Sequence, residues 1–177
     1  MPYSSQEGKD WIRQRIVDLS PQSVLDVGIG AGTYPLLLRD VLPQCRWIGI
    51  EVFVPYVIRF DLIDLYDELI VDDVRAISEL PSADVVICGD VLEHMTVEEA
   101  RQVWDRARRC ARLAVFASIP IVPYPQGPEE GNEHERHVST WSHAQAMRLP
   151  GVRGLRDCWV GEQIGVYEAA PAAPAGG

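Results

Sequence analysis

Acids, histidines and a run of alternating glycines are the residues of this chain that could do chemistry. Gly28, Gly30 and Gly32 fall in the stretch Asp26-Val-Gly-Ile-Gly-Ala-Gly. Glycine lets a backbone approach a ligand closely and tolerates positive φ. Glu51 stands 23 residues beyond Gly28, near the roughly 20 residues expected of an acid that grips a ribose diol. The loop is a poor phosphate cradle. It lacks the Lys-Ser/Thr ending of a phosphate-binding loop, and Thr33 stands where the dinucleotide pattern GxGxxG needs its third glycine. Asp26 would repel a pyrophosphate; it suits a cationic ligand that carries an amino group.

A second group lies downstream. Asp90, Glu93 and His94 occur in Gly-Asp-Val-Leu-Glu-His-Met, and Glu133, His134, Glu135 and His137 in a proline-rich stretch. A histidine near its ordinary pKa accepts a proton at neutral pH. His137 is the first choice for that role and His94 the second, with Glu93 orienting a ring. Asp90, Glu93, His94 and His137 also offer ligands for Mg²⁺, Mn²⁺ or a related ion. His134-Glu135-Arg136-His137 lacks the HExxH spacing of zinc proteases.

These residues need a scaffold. Residues 23–27 read as a buried strand, 33–41 as a helix and 45–50 as a second strand ending at Glu51: the opening half of a Rossmann-like unit. Residues 1–10 read as a mobile lead-in and 10–19 as a helix with Trp11, Ile12, Ile16 and Leu19 near one face. Pro55 opens a helix through residue 61, and 68–72 and 84–88 are strands. Thr96 and Glu99 form a capping box for a helix running to about Arg109. Residues 112–118 make a fifth strand. The segment from Ile119 to Ser142, with Pro120, Pro123, Pro125 and Pro128, has no regular pattern. A loop this long is usually functional, and it reads as a substrate lid anchored by Trp141. A short helix over 142–147 precedes an antiparallel pair, 156–160 and 163–168. Residues 1–168 form one domain, and 169–177 a flexible Ala/Pro/Gly tail.

Asp26 to Gly32 resembles motif I of the class I S-adenosylmethionine-dependent methyltransferases, (D/E)xGxGxG, at every fixed position. The resemblance spans about residues 20–168. It implies an α/β fold: a Rossmann-like three-layer sandwich with a mostly parallel sheet and a C-terminal antiparallel hairpin. It implies S-adenosylmethionine as cofactor and S-adenosylhomocysteine as product. It also implies cofactor contacts at Asp26, Gly28, Gly30, Gly32, Glu51, Val52, Phe53, Asp73, Val74 and Asp90, with Phe53 against the adenine and Asp72 the rival of Asp73. Asp90 to His94 is similar to the LEH segment of ubiquinone-pathway O-methyltransferases. It is also similar to the ExxEH of small-RNA 2′-O-methyltransferases, which with a downstream histidine binds a divalent ion.

Composition narrows the substrate. The chain has 177 residues and a formal net charge of -10. That is one domain, and its acidity disfavours a nucleic-acid backbone. Cys45, Cys88, Cys110 and Cys158 have no disulfide-like or metal-like spacing and are expected to be reduced. No leader and no membrane-length apolar run is expected, which makes the cytoplasm the expected compartment. The leading expectation is O-methylation of a small polar metabolite, a sugar or natural-product hydroxyl, by a monomer or homodimer. RNA or protein methylation, nicotinamide-dependent oxidoreduction and a non-catalytic cofactor-binding partner stand as alternatives.

Overall fold

The five residues of Ser23–Val27 are all buried and form strand β1. A strand covered on both faces reads as a continuous apolar run, and Asp26 is its one charged member. The computed structural model describes residues 5–173. Around β1 lie β2 (Arg46–Glu51), β3 (Glu68–Val71), β4 (Ala83–Gly89), β5 (Ala111–Pro120), β6 (Cys158–Val160) and β7 (Ile164–Ala169). They make one sheet in the order β3-β2-β1-β4-β5-β7-β6. The first five strands are parallel, and β7 runs antiparallel to both β5 and β6. This is the expected mostly parallel sheet with its C-terminal hairpin.

Alternation along the strands splits the core in two. Val24, Trp47, Val85, Ile87 and Phe116 face Ile12 and Ile16 of α1 (Lys9–Leu19) and Leu38 of α2 (Thr33–Leu38). Val57 of α3 (Val54–Arg59) and Leu62 of α4 (Leu62–Leu65) join them. Leu25, Ile48, Val86 and Cys88 face the other way, onto Ala100, Val103, Trp104 and Ala107 of α5 (Val97–Cys110) and onto Trp141. Helices therefore cover both faces, giving three layers. The order reverses between β1 and β4, one neighbour leading to β2 and the other to β5. Ligands of open α/β sheets sit at the carboxyl ends of the strands at such a switch point.

Several boundaries differ from expectation. The helix after the glycine loop stops at Leu38, and turns closed on the Leu38 carbonyl by Val41 and Leu42 bring the chain to Pro43. Proline disfavours helical backbone at the residue before it. β5 is longer at both ends, because β4 flanks it from Ala111 and β7 up to Pro120. The stretch around Glu7 is not a loose lead-in: Glu7 Oε2 accepts from the amides of Gln163 at 3.1 Å and Ile164 at 3.0 Å. Nor is the tail loose where it starts. Ala169 ends β7, Arg108 donates to the Ala170 carbonyl at 3.0 Å, and the Ala172 amide donates to the Arg108 carbonyl at 2.8 Å. Residues 1–4 and 174–177 lie outside the described residues. Among the described residues no helix is long and apolar enough to cross a membrane.

The capping box of α5 is present. The Glu99 amide donates to Thr96 Oγ1 at 3.3 Å, and Glu99 Oε2 accepts from the Thr96 amide at 2.9 Å. Thr96→Ala removes the first bond and costs about 1 kcal/mol. Thermal unfolding of that variant should shift down by roughly 2–4 °C; an unchanged midpoint would show that the cap contributes nothing.

Candidate active site

The glycine loop leaves β1 and turns at once. Gly28, at φ 71°, and Ile29 both donate to the Ile50 carbonyl, at 2.9 and 3.3 Å. A Cβ on Gly28 would lie 2.5 Å from Val91 Cγ2, so only glycine fits between the loop and the turn after β4. Glu51, at the end of β2, is 5% exposed. Its Oε2 accepts from the Gly30 amide at 3.1 Å and its Oε1 from the Phe53 amide at 2.8 Å. Burial raises its pKa, and those two amides oppose the rise. The carboxylate is therefore aimed by the backbone into a cleft of about 770 Å³, open to solvent.

Gly28, Gly30, Glu51, Val52, Asp73, Val74, Asp90 and His94 line that cleft, as does the rival acid Asp72. Asp73 is already engaged by Arg75, whose Nη2 lies 2.6 Å from its Oδ2, and this ion pair holds its carboxyl below the usual range. Three expected contacts fall outside. Gly32 caps α2 and packs against Leu62 and Leu65. Phe53 turns its ring onto Tyr56, edge-on at 4.8 Å between centroids, so what it supplies to Glu51 is its amide and not an aromatic face. Asp26 is 1% exposed and lies behind the loop, where its Oδ2 accepts from the Tyr66 hydroxyl at 2.7 Å. Tyr34 is buried beneath Gly89, and Trp11 sits edge-on to Phe116.

The acceptor side is built from the turn after β4 and from the lid. Leu92–His94 form one 3-10 turn. The amides of Val138 and Ser139 both donate to the Glu93 carbonyl, at 2.8 and 3.0 Å, so the lid is stitched to that turn. This brings the His94 and His137 rings to 4.9 Å between centroids. His94 Nδ1 lies 3.2 Å from the Arg136 carbonyl and His137 Nδ1 2.6 Å from the Tyr124 carbonyl. A carbonyl can only accept, so both Nδ1 atoms donate, and in the neutral rings that burial favours both Nε2 atoms present lone pairs. Burial lowers both histidine pKa values, and His94 lowers that of His137 further. Glu93 is 2% exposed with Oε2 unbonded. Burial and then Asp90 push its pKa well up. The ligand atoms of Glu93, His94 and His137 lie within 4.8 Å of one another.

The lid carries two more lining groups, Asn132 and His134, and a third acid, Glu135, which also lines the cleft. Trp141 anchors it as expected, fully buried with Nε1 donating to Ser139 Oγ at 3.0 Å. His143 lies apart, with Nδ1 2.9 Å from the Tyr167 hydroxyl. One charged residue beside the cleft was not legible: Lys9, buried at the start of α1, lies 3.6 Å from Asp90 Oδ2. It stands in a polar stretch with Gly8 before it, and no motif points to it.

No family model matches the chain, and no curated protein matches it. Solved structures do. The N-terminal domain of EvdMO1 with S-adenosylhomocysteine bound is similar at a TM-score of 0.67 and 16% identity, over 96% of this chain and 83% of that one. The PH0226 protein from Pyrococcus horikoshii OT3 is similar at 0.62 and 19%, over 95% and 92%. NcsB1, an O-methyltransferase from neocarzinostatin biosynthesis solved with S-adenosylhomocysteine and 1,4-dihydroxy-2-naphthoic acid, is similar at 0.60 and 14%. The fold is that of the class I S-adenosylmethionine-dependent methyltransferases. This chain spans 57% of the length of NcsB1, which matches 93% of this one.

Asp26, the first residue of the methyltransferase motif, gives a test of the buried charge. Burial pushes its carboxyl up to about 7, against the opposing Tyr66 hydrogen bond and Lys9 charge. A carboxyl raised in the folded state favours folding while protonated. That stability is fully present below its ordinary 3.8 and is lost as pH rises through about 7. Asp26→Asn keeps an oxygen for Tyr66 and never ionises. In ligand-free thermal melts its midpoint should rise relative to wild type between pH 5 and pH 8. A difference that stays flat across that window would mean the carboxyl does not titrate there.

Proposed function

We propose that this protein transfers the methyl group of S-adenosylmethionine to a hydroxyl of a small polar molecule, such as a sugar or a natural-product scaffold. What carries this is the pairing, in one cleft, of a backbone-aimed Glu51 beside the glycine loop with His94, whose ring stands 4.9 Å from that of His137, each histidine turning Nδ1 to a carbonyl. The first suits a ribose diol, the second an acceptor hydroxyl. The bound S-adenosylhomocysteine in the EvdMO1 domain and in NcsB1 supports the cofactor. The net charge of -10 supports a small acceptor over a polynucleotide. The reading extends to a cytoplasmic monomer or homodimer, which four free thiols fit.

The reaction is a displacement. An acceptor oxygen bonds to the methyl carbon, the carbon–sulfur bond breaks with its electron pair leaving on sulfur, and the hydroxyl proton is released. The sulfonium supplies the driving force, so the chain has to align the two partners, exclude water and receive the proton. Glu51 accepts from the ribose hydroxyls, and Val52 and Val74 offer apolar faces beside it. Glu93, His94 and His137 face the acceptor.

The donor chemistry of these three also fits a divalent cation. The two Nδ1–H bonds to carbonyls are the outer contacts that fix metal-binding histidines, and the unbonded Glu93 Oε2 is a buried oxygen that a cation would satisfy. Two imidazoles and one carboxylate suit a transition-metal dication such as Mn²⁺ more readily than Mg²⁺. Such an ion would supply a fixed positive charge that lowers the acceptor hydroxyl's pKa.

Transfer of labelled methyl from S-adenosylmethionine into a small-molecule extract tests the activity. Label found only in protein or RNA would overturn the small-molecule acceptor, and calorimetric binding of NAD(P)H without S-adenosylhomocysteine would overturn the cofactor. Glu51→Ala should weaken S-adenosylhomocysteine binding about tenfold or more, as loss of charged hydrogen bonds does. His137→Ala should leave that affinity nearly unchanged and lower turnover by roughly 10²-fold. A chelator should abolish wild-type turnover and added Mn²⁺ restore it. If the chelator has no effect and His137→Ala still loses roughly 10²-fold, the histidine takes the proton directly and no cation is used.

A further inference from the structure

Behind the cleft, between the glycine loop and the turn after β4, a lysine is buried among carboxylates. Lys9 is 3% exposed. Its Nζ donates to the Tyr34 hydroxyl at 3.1 Å and lies 4.8 Å from the centre of that ring. Asp90 Oδ2 is 3.6 Å away, and the charge of Lys9 is felt at Asp26 and Glu93 as well. Burying an ammonium is costly unless it is paired, and this one is held in place by more than its own pairing. Gly8, just before it, is pressed against the hairpin: a Cβ there would lie 2.5 Å from Val166 Cγ2 and 2.9 Å from Trp159 Cε3. Glu7, one residue earlier, is bonded to the hairpin backbone. The start of α1 is thus clamped on the β6–β7 turn, with Lys9 pointing inward.

Asp90 is the group on which Lys9 acts. Its backbone is left-handed, at φ 51°, which is strained for a residue with a side chain. Its amide donates to the Ser118 carbonyl at 2.9 Å, and Ser118 Oγ donates to its Oδ1 at 2.7 Å. Oδ2 accepts no hydrogen bond, because Lys9 at 3.6 Å is too far to make one. Oδ2 is thus closed off on the side of Lys9, while the side chain as a whole stays 17% exposed. Asp90 lines the cleft beside Gly28 and Gly89.

We infer that Lys9 is a positioning residue for the cofactor: it holds the Asp90 carboxylate in the orientation in which its exposed part meets the ammonium group of S-adenosylmethionine. This rests on the cofactor assigned above and adds to it the residue that makes Asp90 usable. Lys9 does not touch the cofactor. Removing it leaves Asp90, Asp26 and Glu93 without their shared cation. The methionine end of the ligand then loses its acceptor, while the groups around Glu51 and His137 stay as they are.

Calorimetry with S-adenosylhomocysteine, which keeps the ammonium, tests this on the full chain. Wild-type binding comes first: no binding there overturns the cofactor itself, not the role of Lys9. Given binding, Asp90→Asn should weaken it about tenfold or more, and Lys9→Met should do the same. Lys9→Met should raise the KM for S-adenosylmethionine more than it lowers kcat. The double variant should bind no worse than Asp90→Asn alone, because coupled groups are not additive. Additive losses would mean that Lys9 acts on the fold and not through Asp90. If Lys9→Met does not fold, Asp90→Asn decides alone, and unchanged affinity in that variant overturns the inference. Adenosine, which lacks the ammonium, should bind wild type and Asp90→Asn equally; a loss of adenosine affinity would also overturn it.

Discussion

The parallel pairing of β1 with β4 is the constraint on which the site depends. Val24 to Val27 lie beside Val85 to Cys88 in register, so both strands end at the same height. The turns that follow them are forced together, with Gly28 against Val91. Two left-handed residues, Gly28 and Asp90, stand at those exits. The strained backbone lies where the sheet order reverses and nowhere else in the central strands. Glu51 arrives from the next strand out, and the lid from the next strand on the other side. Each functional group reaches the cleft because its strand ends there.

Electrostatics is the second common thread. Burial raises the pKa of Asp26, Glu51 and Glu93 alike, and the charge of Lys9, paired with Asp90, opposes that rise at Asp26 and Glu93. Buried carboxylates short of partners are costly. A cleft lined by Glu51, Asp72, Asp73, Asp90 and Glu135 disfavours an anion and favours a ligand with positive charge on it. A sulfonium with an ammonium group has that character, and so does a dication held by Glu93, His94 and His137.

Much of this was legible in the sequence where a residue's role follows from spacing along a strand–loop–helix unit. The glycine loop, Glu51, Asp90 and the succession of strands could be read that way. What failed was side-chain direction. Phe53 follows the ribose acid as expected, yet it begins α3, and packing on Tyr56 turns its ring from the cleft. Asp26 matches its motif position and lies behind the loop. His137 could be placed on a lid, but its contact with His94 depends on backbone bonds 45 residues apart in the chain, between Val138 and Glu93. Lys9 was beyond reach, because nothing about a lysine in a polar lead-in tells that the hairpin will press its backbone inward.

The two lid amides on the Glu93 carbonyl act like a hinge pin. His137 precedes Val138 directly, so any swing of the lid about that pin carries its ring away from His94. Admission of a substrate and dispersal of the histidine pair are then one motion. Linkage makes the relation reciprocal: whatever tightens the trio holds the gate shut, and whatever holds the gate shut tightens the trio, by the same factor. The attachment of the lid to the turn after β4 and the meeting of its histidine with His94 are one and the same contact.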